Sequence, residues 1–170
     1  MFIRILKKDN RLEISCTEQF YNLKGPLGET SLLRSSLYDL EITEKVIIIK
    51  TDEKKYDQLF FSIFKANIRG VLFGFIKSLN LVGIGYSAEV SSDNILILNL
   101  GYSHKILIEI PSDIFVKVKK KKKILILGNN LEKISQFAMQ IKLKRVPDCY
   151  KGKGVFYKKE KITLKVGKKE

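Results

Sequence analysis

Between Lys54 and Lys77 the apolar side chains fall at Tyr56, Phe60, Phe64, Ile68, Val71 and Phe75, three or four positions apart. That spacing is the buried stripe of one helix. Lys65, Arg69 and Lys77 interrupt it on the other face. On both sides the period drops to that of strands. Short strands are expected at Arg11–Cys16, Gln19–Leu23, around Thr30–Tyr38 and at Val46–Lys50, with a tight turn at Lys24-Gly25-Pro26-Leu27-Gly28-Glu29. Beyond the helix, strands are expected over Leu79–Val90, Ile95–Leu100, Lys105–Ile110, Ile114–Val118 and Ile124–Leu127. A second helical stripe follows at Leu131, Ile134, Phe137, Ala138 and Ile141, and Pro147 bars any helix from running further. One more short strand is expected at Lys161–Val166.

Strands followed by a helix thus occur twice in 170 residues. The pattern predicts an α+β fold: two tandem copies of a small antiparallel sheet covered by one helix, plus a basic C-terminal extension. A boundary near Ser78-Leu79 gives an N-terminal unit, 1–78, and a C-terminal unit, 79–170.

Charge is distributed unevenly over this frame. The net charge is +14, yet residues 1–116 carry 14 basic and 14 acidic groups. The excess lies in Lys117–Lys123, which holds six lysines, and in residues 142–170, with 11 basic groups against 3 acidic. The 79–170 unit therefore carries +11 and the 1–78 unit +3. Such clustering repels itself unless a polyanion neutralises it, and nucleic-acid phosphates do so with release of counterions. In 142–170 the lysines alternate with Tyr150, Phe156, Tyr157 and glycines, the composition of a nucleic-acid-binding surface rather than of a solvated run. Lysine outnumbers arginine 27 to 5, with 22 isoleucines against 3 alanines, so the gene is read as AT-rich. Only the clustering of the lysines, not their number, carries functional meaning.

Catalytic and cofactor motifs fail on inspection. Cys16 and Cys149 make neither a disulfide framework nor a four-thiolate zinc site, and His104 is the sole histidine. Gly83-Ile84-Gly85 has Ala88 where a dinucleotide motif needs its third glycine, and a strand, not a helix, follows. Gly152-Lys153-Gly154 lacks the flanking residues of a phosphate-binding P-loop. Gly101-Tyr102-Ser103-His104-Lys105 begins like a nucleophile elbow but lies between two strands. No enzyme, cofactor, metal or small-molecule substrate is expected. No apolar run is long enough to span a membrane, and Met1–Asp9 is too short a run for a signal peptide.

The segment Pro147-Asp148-Cys149-Tyr150-Lys151-Gly152-Lys153-Gly154-Val155 resembles the signature of the sixth large-subunit ribosomal protein, in its bacterial and organellar form. Lys24–Glu29, Gly70-Val71-Leu72-Phe73-Gly74-Phe75, Leu81–Tyr86 and Leu100–His104 resemble further landmarks of that family, in order. The resemblance implies two copies of one α+β fold and a structural role without catalysis. It implies binding to large-subunit rRNA near the sarcin–ricin loop and the stalk base, beside neighbouring large-subunit proteins. The AT-rich gene and bacterial-type sequence, with no import signal read in it, suggest an organelle-encoded mitochondrial protein, with a plastid or an AT-rich bacterium as alternatives. A free-standing RNA- or DNA-binding module is the competing function.

The residues expected to bind RNA follow from both readings. The basic segment supplies Lys142, Lys144, Arg145, Tyr157, Lys158, Lys159, Lys161, Lys165, Lys168 and Lys169. The signature supplies Tyr150, Lys151, Gly152, Lys153 and Gly154. His104 and the lysine-run residues Lys121 and Lys122 complete the set. Glycines at 152 and 154 are expected to let backbone N–H groups meet a phosphate, in a loop outside the two cores. Tyr150 either stacks on a base or ribose or anchors the loop.

Overall fold

The computed structural model describes residues 2–35, 37–43, 46–51 and 53–165. Two compact units make up the chain: Met1–Phe75 with Asn129–Leu131, and Ile76–Gly128 with Glu132–Glu170.

The first unit contains β1 (Phe2–Lys7), β2 (Glu13–Cys16), β3 (Phe20–Gly25), β4 (Gly28–Leu33), β5 (Tyr38–Ile42), β6 (Val46–Thr51) and α1 (Lys54–Phe73). Its strands form two antiparallel sheets, ordered β2-β3-β4 and β1-β6-β5. Alternation drives the second sheet: Tyr38 and Leu40 on β5 and Ile47 and Ile49 on β6 are buried, while Asp39 and Glu41 face water. Leu12, Tyr21, Leu23, Tyr38, Leu40, Ile47, Ile49, Phe64, Val71 and Leu72 make one core. Aromatic rings knit it, with Tyr38 4.2 Å from Phe60 and edge-on to Phe64 at 5.7 Å. Phe60, Phe64, Ile68 and Val71 of the helical stripe lie in or against this core, as their spacing predicted. Arg4 of β1 donates to the buried Asp57 of α1 at 2.6 Å and so ties strand to helix.

The second unit contains β7 (Phe75–Val82), β8 (Ser87–Val90), β9 (Ile95–Asn99), β10 (Ile106–Glu109), β11 (Ile114–Lys119), β12 (Lys123–Gly128), α2 (Leu131–Leu143) and β13 (Gly154–Tyr157). The sheets are ordered β10-β9-β8 and β11-β12-β7-β13. Ile134, Phe137, Ala138 and Ile141 of α2 are buried, as are Leu79, Leu81, Leu96, Leu98, Ile124, Ile126 and Val155. Each unit is therefore α+β with a single helix, but its strands are split between two small sheets. Among the described residues no helix is long and apolar enough to cross a membrane.

Four local expectations are corrected. The first helix ends at Phe73, not near Lys77, because Gly74 takes φ 71° with its N–H on the Gly70 carbonyl. Phe75 thus opens β7 instead of continuing the helical stripe. Leu79–Val90 is two strands, β7 and β8, separated by a turn. The segment expected as one strand around Thr30–Tyr38 is the end of β4 and the start of β5. In the C-terminal segment, the expected strand at Lys161–Val166 is absent over 161–165, and Val166 lies outside the described residues. The strand there is instead β13, paired antiparallel with β7 in the register Gly154↔Val82 to Tyr157↔Leu79.

Candidate nucleic-acid interface

The signature segment bridges α2 and β13. After Leu143 the helix tightens, with the Lys144 and Arg145 N–H groups on the carbonyls of Ile141 and Lys142 at 3.2 Å each. Pro147 then turns the chain out. Asp148 organises the loop beyond it: the carboxylate accepts from the N–H of Tyr150 at 3.2 Å and of Lys151 at 3.0 Å. These two donors, that of Lys151 foremost, hold the Asp148 carboxyl below the usual carboxylate range. The Asp148 carbonyl accepts from Gly152 N–H at 3.1 Å, and its own N–H donates to the Lys153 carbonyl at 2.9 Å. Val155 N–H returns to the Arg145 carbonyl at 3.0 Å, and Lys165 N–H closes on the Cys149 carbonyl at 2.9 Å.

This network corrects the expected role of the glycines. The N–H groups of Tyr150, Lys151 and Gly152 are spent inside the loop rather than pointed at a phosphate. Gly152 is needed for its left-handed φ of 62°, since a β-carbon there meets only Leu164 at an ordinary 3.4 Å. Gly154 is buried, with φ 151°, and a β-carbon would lie 2.5 Å from Pro147 Cα and 2.8 Å from Pro147 N. The close approach at Gly154 is to the protein's own backbone. The loop is thus part of the second unit's packing, not an appendage outside it.

What the loop offers outward is side-chain charge. Lys144, Arg145, Lys151 and Lys153 line an open cleft of about 600 Å³ together with Tyr102 and Asp148. Tyr102 stands on the loop after β9 and donates its hydroxyl to the Lys144 carbonyl at 3.0 Å. The Arg145 guanidinium lies over the Tyr102 ring, 4.8 Å from its centroid, and bonding to that tyrosine holds Arg145 still further toward its charged form. The His104 ring stacks against Tyr102 at 6.2 Å. His104 therefore borders the cleft through a tyrosine that the sequence reading passed over. Its only signal there was the aromatic residue within the Leu100–His104 landmark.

The remaining candidates are placed differently. Tyr150 is 58% exposed on the loop. Lys142 is only 17% exposed and bonds Glu160 at 2.5 Å while lying 5.0 Å over the Tyr157 ring. That pairing, followed by the Tyr157 N–H at 3.1 Å, pulls the Glu160 carboxyl below its usual range. Lys142 and Tyr157 thus clamp the segment after β13 against α2. Lys158, Lys159, Lys161 and Lys165 are exposed beyond β13, and Lys168 and Lys169 lie outside the described residues. Lys121 and Lys122 sit at the β11–β12 hairpin tip rather than around the cleft.

Comparison with known proteins places this chain. The family model described as Ribosomal protein L6 matches residues 82–158, which span the cleft, the hairpin and the signature loop. Large ribosomal subunit protein uL6 of Mycoplasmoides gallisepticum is 36% identical, over 97% of this chain and 93% of the relative. The protein of the same name from Natranaerobius thermophilus is 36% identical over 92% and 90%. Large ribosomal subunit protein uL6m of Prototheca wickerhamii is 32% identical over 98% and 95%. With alignments running through both units, and not only through the signature loop, the chain belongs to the Ribosomal protein L6 family.

Proposed function

We propose that this protein is a structural constituent of the large ribosomal subunit that binds large-subunit rRNA through the cleft of its second unit. The supporting observation is the gathering of Lys144, Arg145, Lys151 and Lys153 around one cleft with the exposed Tyr102 beside them. Arg145 matches phosphate oxygens with two parallel donors, the lysines neutralise charge, and Tyr102, Tyr150 and His104 offer ring faces to a base or ribose. Asp148 does not oppose this, because its carboxylate is turned inward onto loop N–H groups. The exposed Lys158, Lys159, Lys161 and Lys165 extend the cationic surface, with Lys168 and Lys169 assigned to it from sequence alone.

On this reading the residues of 79–170 hold the RNA near the sarcin–ricin loop and the stalk base, next to other large-subunit proteins, and the near-neutral 1–78 unit contributes less. The role is one of positioning, with no catalysed reaction. The particle is assigned to the mitochondrion, on the AT-rich composition and a relative named uL6m. The bacterial relatives support the alternative of an AT-rich bacterium.

Sucrose-gradient sedimentation tests the core of the proposal. The intact chain should travel with large subunits in moderate salt. A Lys144→Ala, Arg145→Ala, Lys151→Ala, Lys153→Ala variant should remain folded and be released. Neutralising Lys24 and Arg34 in the first unit should leave the association unchanged. A wild-type chain that stays at the top of the gradient refutes the ribosomal assignment.

A further inference from the structure

The hairpin of β11 and β12 bears six of the fourteen net positive charges but does not line the cleft. Its register sets Phe115 opposite Leu127, Lys117 opposite Leu125 and Lys119 opposite Lys123, so these six share one face. The other face carries Ile114, Ile124 and Ile126, which are buried in the core. On the first face Phe115 is 73% exposed, Lys117 and Lys119 are exposed, and Leu125 and Leu127 form a half-covered apolar floor.

Two features make this face costly in the free protein. A phenylalanine ring stands in water, and Lys119 faces Lys123 across the ladder, where like charges destabilise pairing. The ribbon is nonetheless held firmly in position. Leu81 and Ala88 donate backbone N–H bonds of 2.8 Å to the carbonyls of Lys122 and Lys121 at the tip. Lys121 is also partly neutralised by Glu89 at 3.1 Å. Among the described residues, no carboxylate forms a salt bridge with Lys117, Lys119 or Lys123.

We propose that this face is a second RNA site, distinct from the cleft, which takes a single-stranded segment with one base stacked on Phe115. Leu125 and Leu127 floor the base, and Lys117, Lys119 and Lys123 meet the flanking phosphates. An exposed ring on an open sheet face needs the flat of an unpaired base, which a duplex hides. An apolar protein partner would cover Phe115 but leave three lysines without counter-charge. This inference shares with the proposed function only the expectation that the ligand is RNA.

The experiment uses the full chain, a short fluorescein-labelled oligouridylate and a blunt RNA duplex, read by anisotropy. Phe115→Ala should weaken oligouridylate binding by about tenfold or more. Phe115→Tyr should restore it, and duplex binding should not change. Lys117→Ala with Lys119→Ala should lower the salt slope for the single strand by about 1.4. The melting temperature checks folding, and it should hold because Phe115 is outside the core. Oligouridylate binding that is indifferent to Phe115→Ala overturns the proposal, as does an equal loss for duplex and single strand. Release of a neighbouring protein from the particle with RNA affinity intact overturns it too, in favour of a protein-docking face. A chain that fails to sediment with large subunits yet shows the Phe115 effect refutes the ribosomal assignment and leaves this site standing.

Discussion

Replacing Gly154 by alanine adds one methyl group at the junction of the signature loop and β13. That carbon would lie 2.5 Å from Pro147 Cα, 2.8 Å from Pro147 N and 3.1 Å from the Val146 carbonyl carbon. All three neighbours are backbone atoms, so no flexible side chain can swing aside. The residue must also hold φ 151°, a region that residues with a β-carbon enter only at about 1–3 kcal/mol. Overpacking of a well-filled site adds about 1–3 kcal/mol. If relaxation halves the sum, about 1–3 kcal/mol of destabilisation remains, centred on about 2. For a unit of this size each kcal/mol moves the melting temperature by roughly 4–8 °C. Gly154→Ala should therefore lower the second unit's transition by roughly 8–16 °C. Near-UV circular dichroism, which reports tyrosine packing, follows that transition on heating. Gly152→Ala, where the β-carbon has room, should cost less, about 1 kcal/mol for its left-handed backbone. Gly154→Ala melting with the wild type while rRNA binding is lost would refute the packing argument and restore a phosphate to that position.

Other expectations rest on the ion pairs and the cleft. Lowered carboxyl pKa values at Glu160 and Asp148 give stability that is complete above their ordinary values of 4.5 and 3.8 and is lost as pH falls through the folded values. Glu160→Gln should lower the melting temperature at neutral pH, where the pair with Lys142 is fully formed, and should flatten the acid limb so that variant and wild type converge as pH falls. Arg4→Ala strands the buried Asp57 carboxylate and should cost about 1–3 kcal/mol in urea unfolding of the first unit, with Asp57→Asn recovering part of the loss. A loss near zero would mean that water replaces the guanidinium. Lys151→Ala with Lys153→Ala should reduce the salt slope of rRNA binding by about two, one per lost phosphate contact. An unchanged slope would place both lysines outside the contact.

Both helices were legible because their apolar stripes run for several turns, long enough for a 3.6-residue period to stand out. Strand β5 was not, although Tyr38, Asp39, Leu40, Glu41 and Ile42 alternate cleanly, because five residues are too few to separate it from the strand expected around Thr30–Tyr38. Strand β1 was not legible either. Ile3 and Ile5 are its exposed residues, so its hydrophobic pattern gives the wrong face, and its position is fixed by pairing with β6 and by Arg4 on Asp57. In the cleft, the cations were legible from composition. Tyr102 was not, because it comes from a loop some forty residues earlier and is joined to Lys144 only by the fold. Gly154 was recognised as necessary but for the wrong partner, since nothing in a linear sequence shows that Pro147 folds back against it.

The pairing of β13 with β7 has a consequence for the order of assembly. Residues 79 and 157 meet across a span that contains most of the second unit. Strand β7 leaves the translating ribosome well before its partner, and domains fold as units in the order of synthesis. Until Gly154–Tyr157 have been made, Leu79 and Leu81 lack the neighbour that completes their sheet, and the loop between α2 and β13 has no second anchor. The cleft is thus among the last features of the molecule to take shape. A nascent chain stalled before residue 154 would display the hairpin, with Phe115 and its lysines, before any cleft exists.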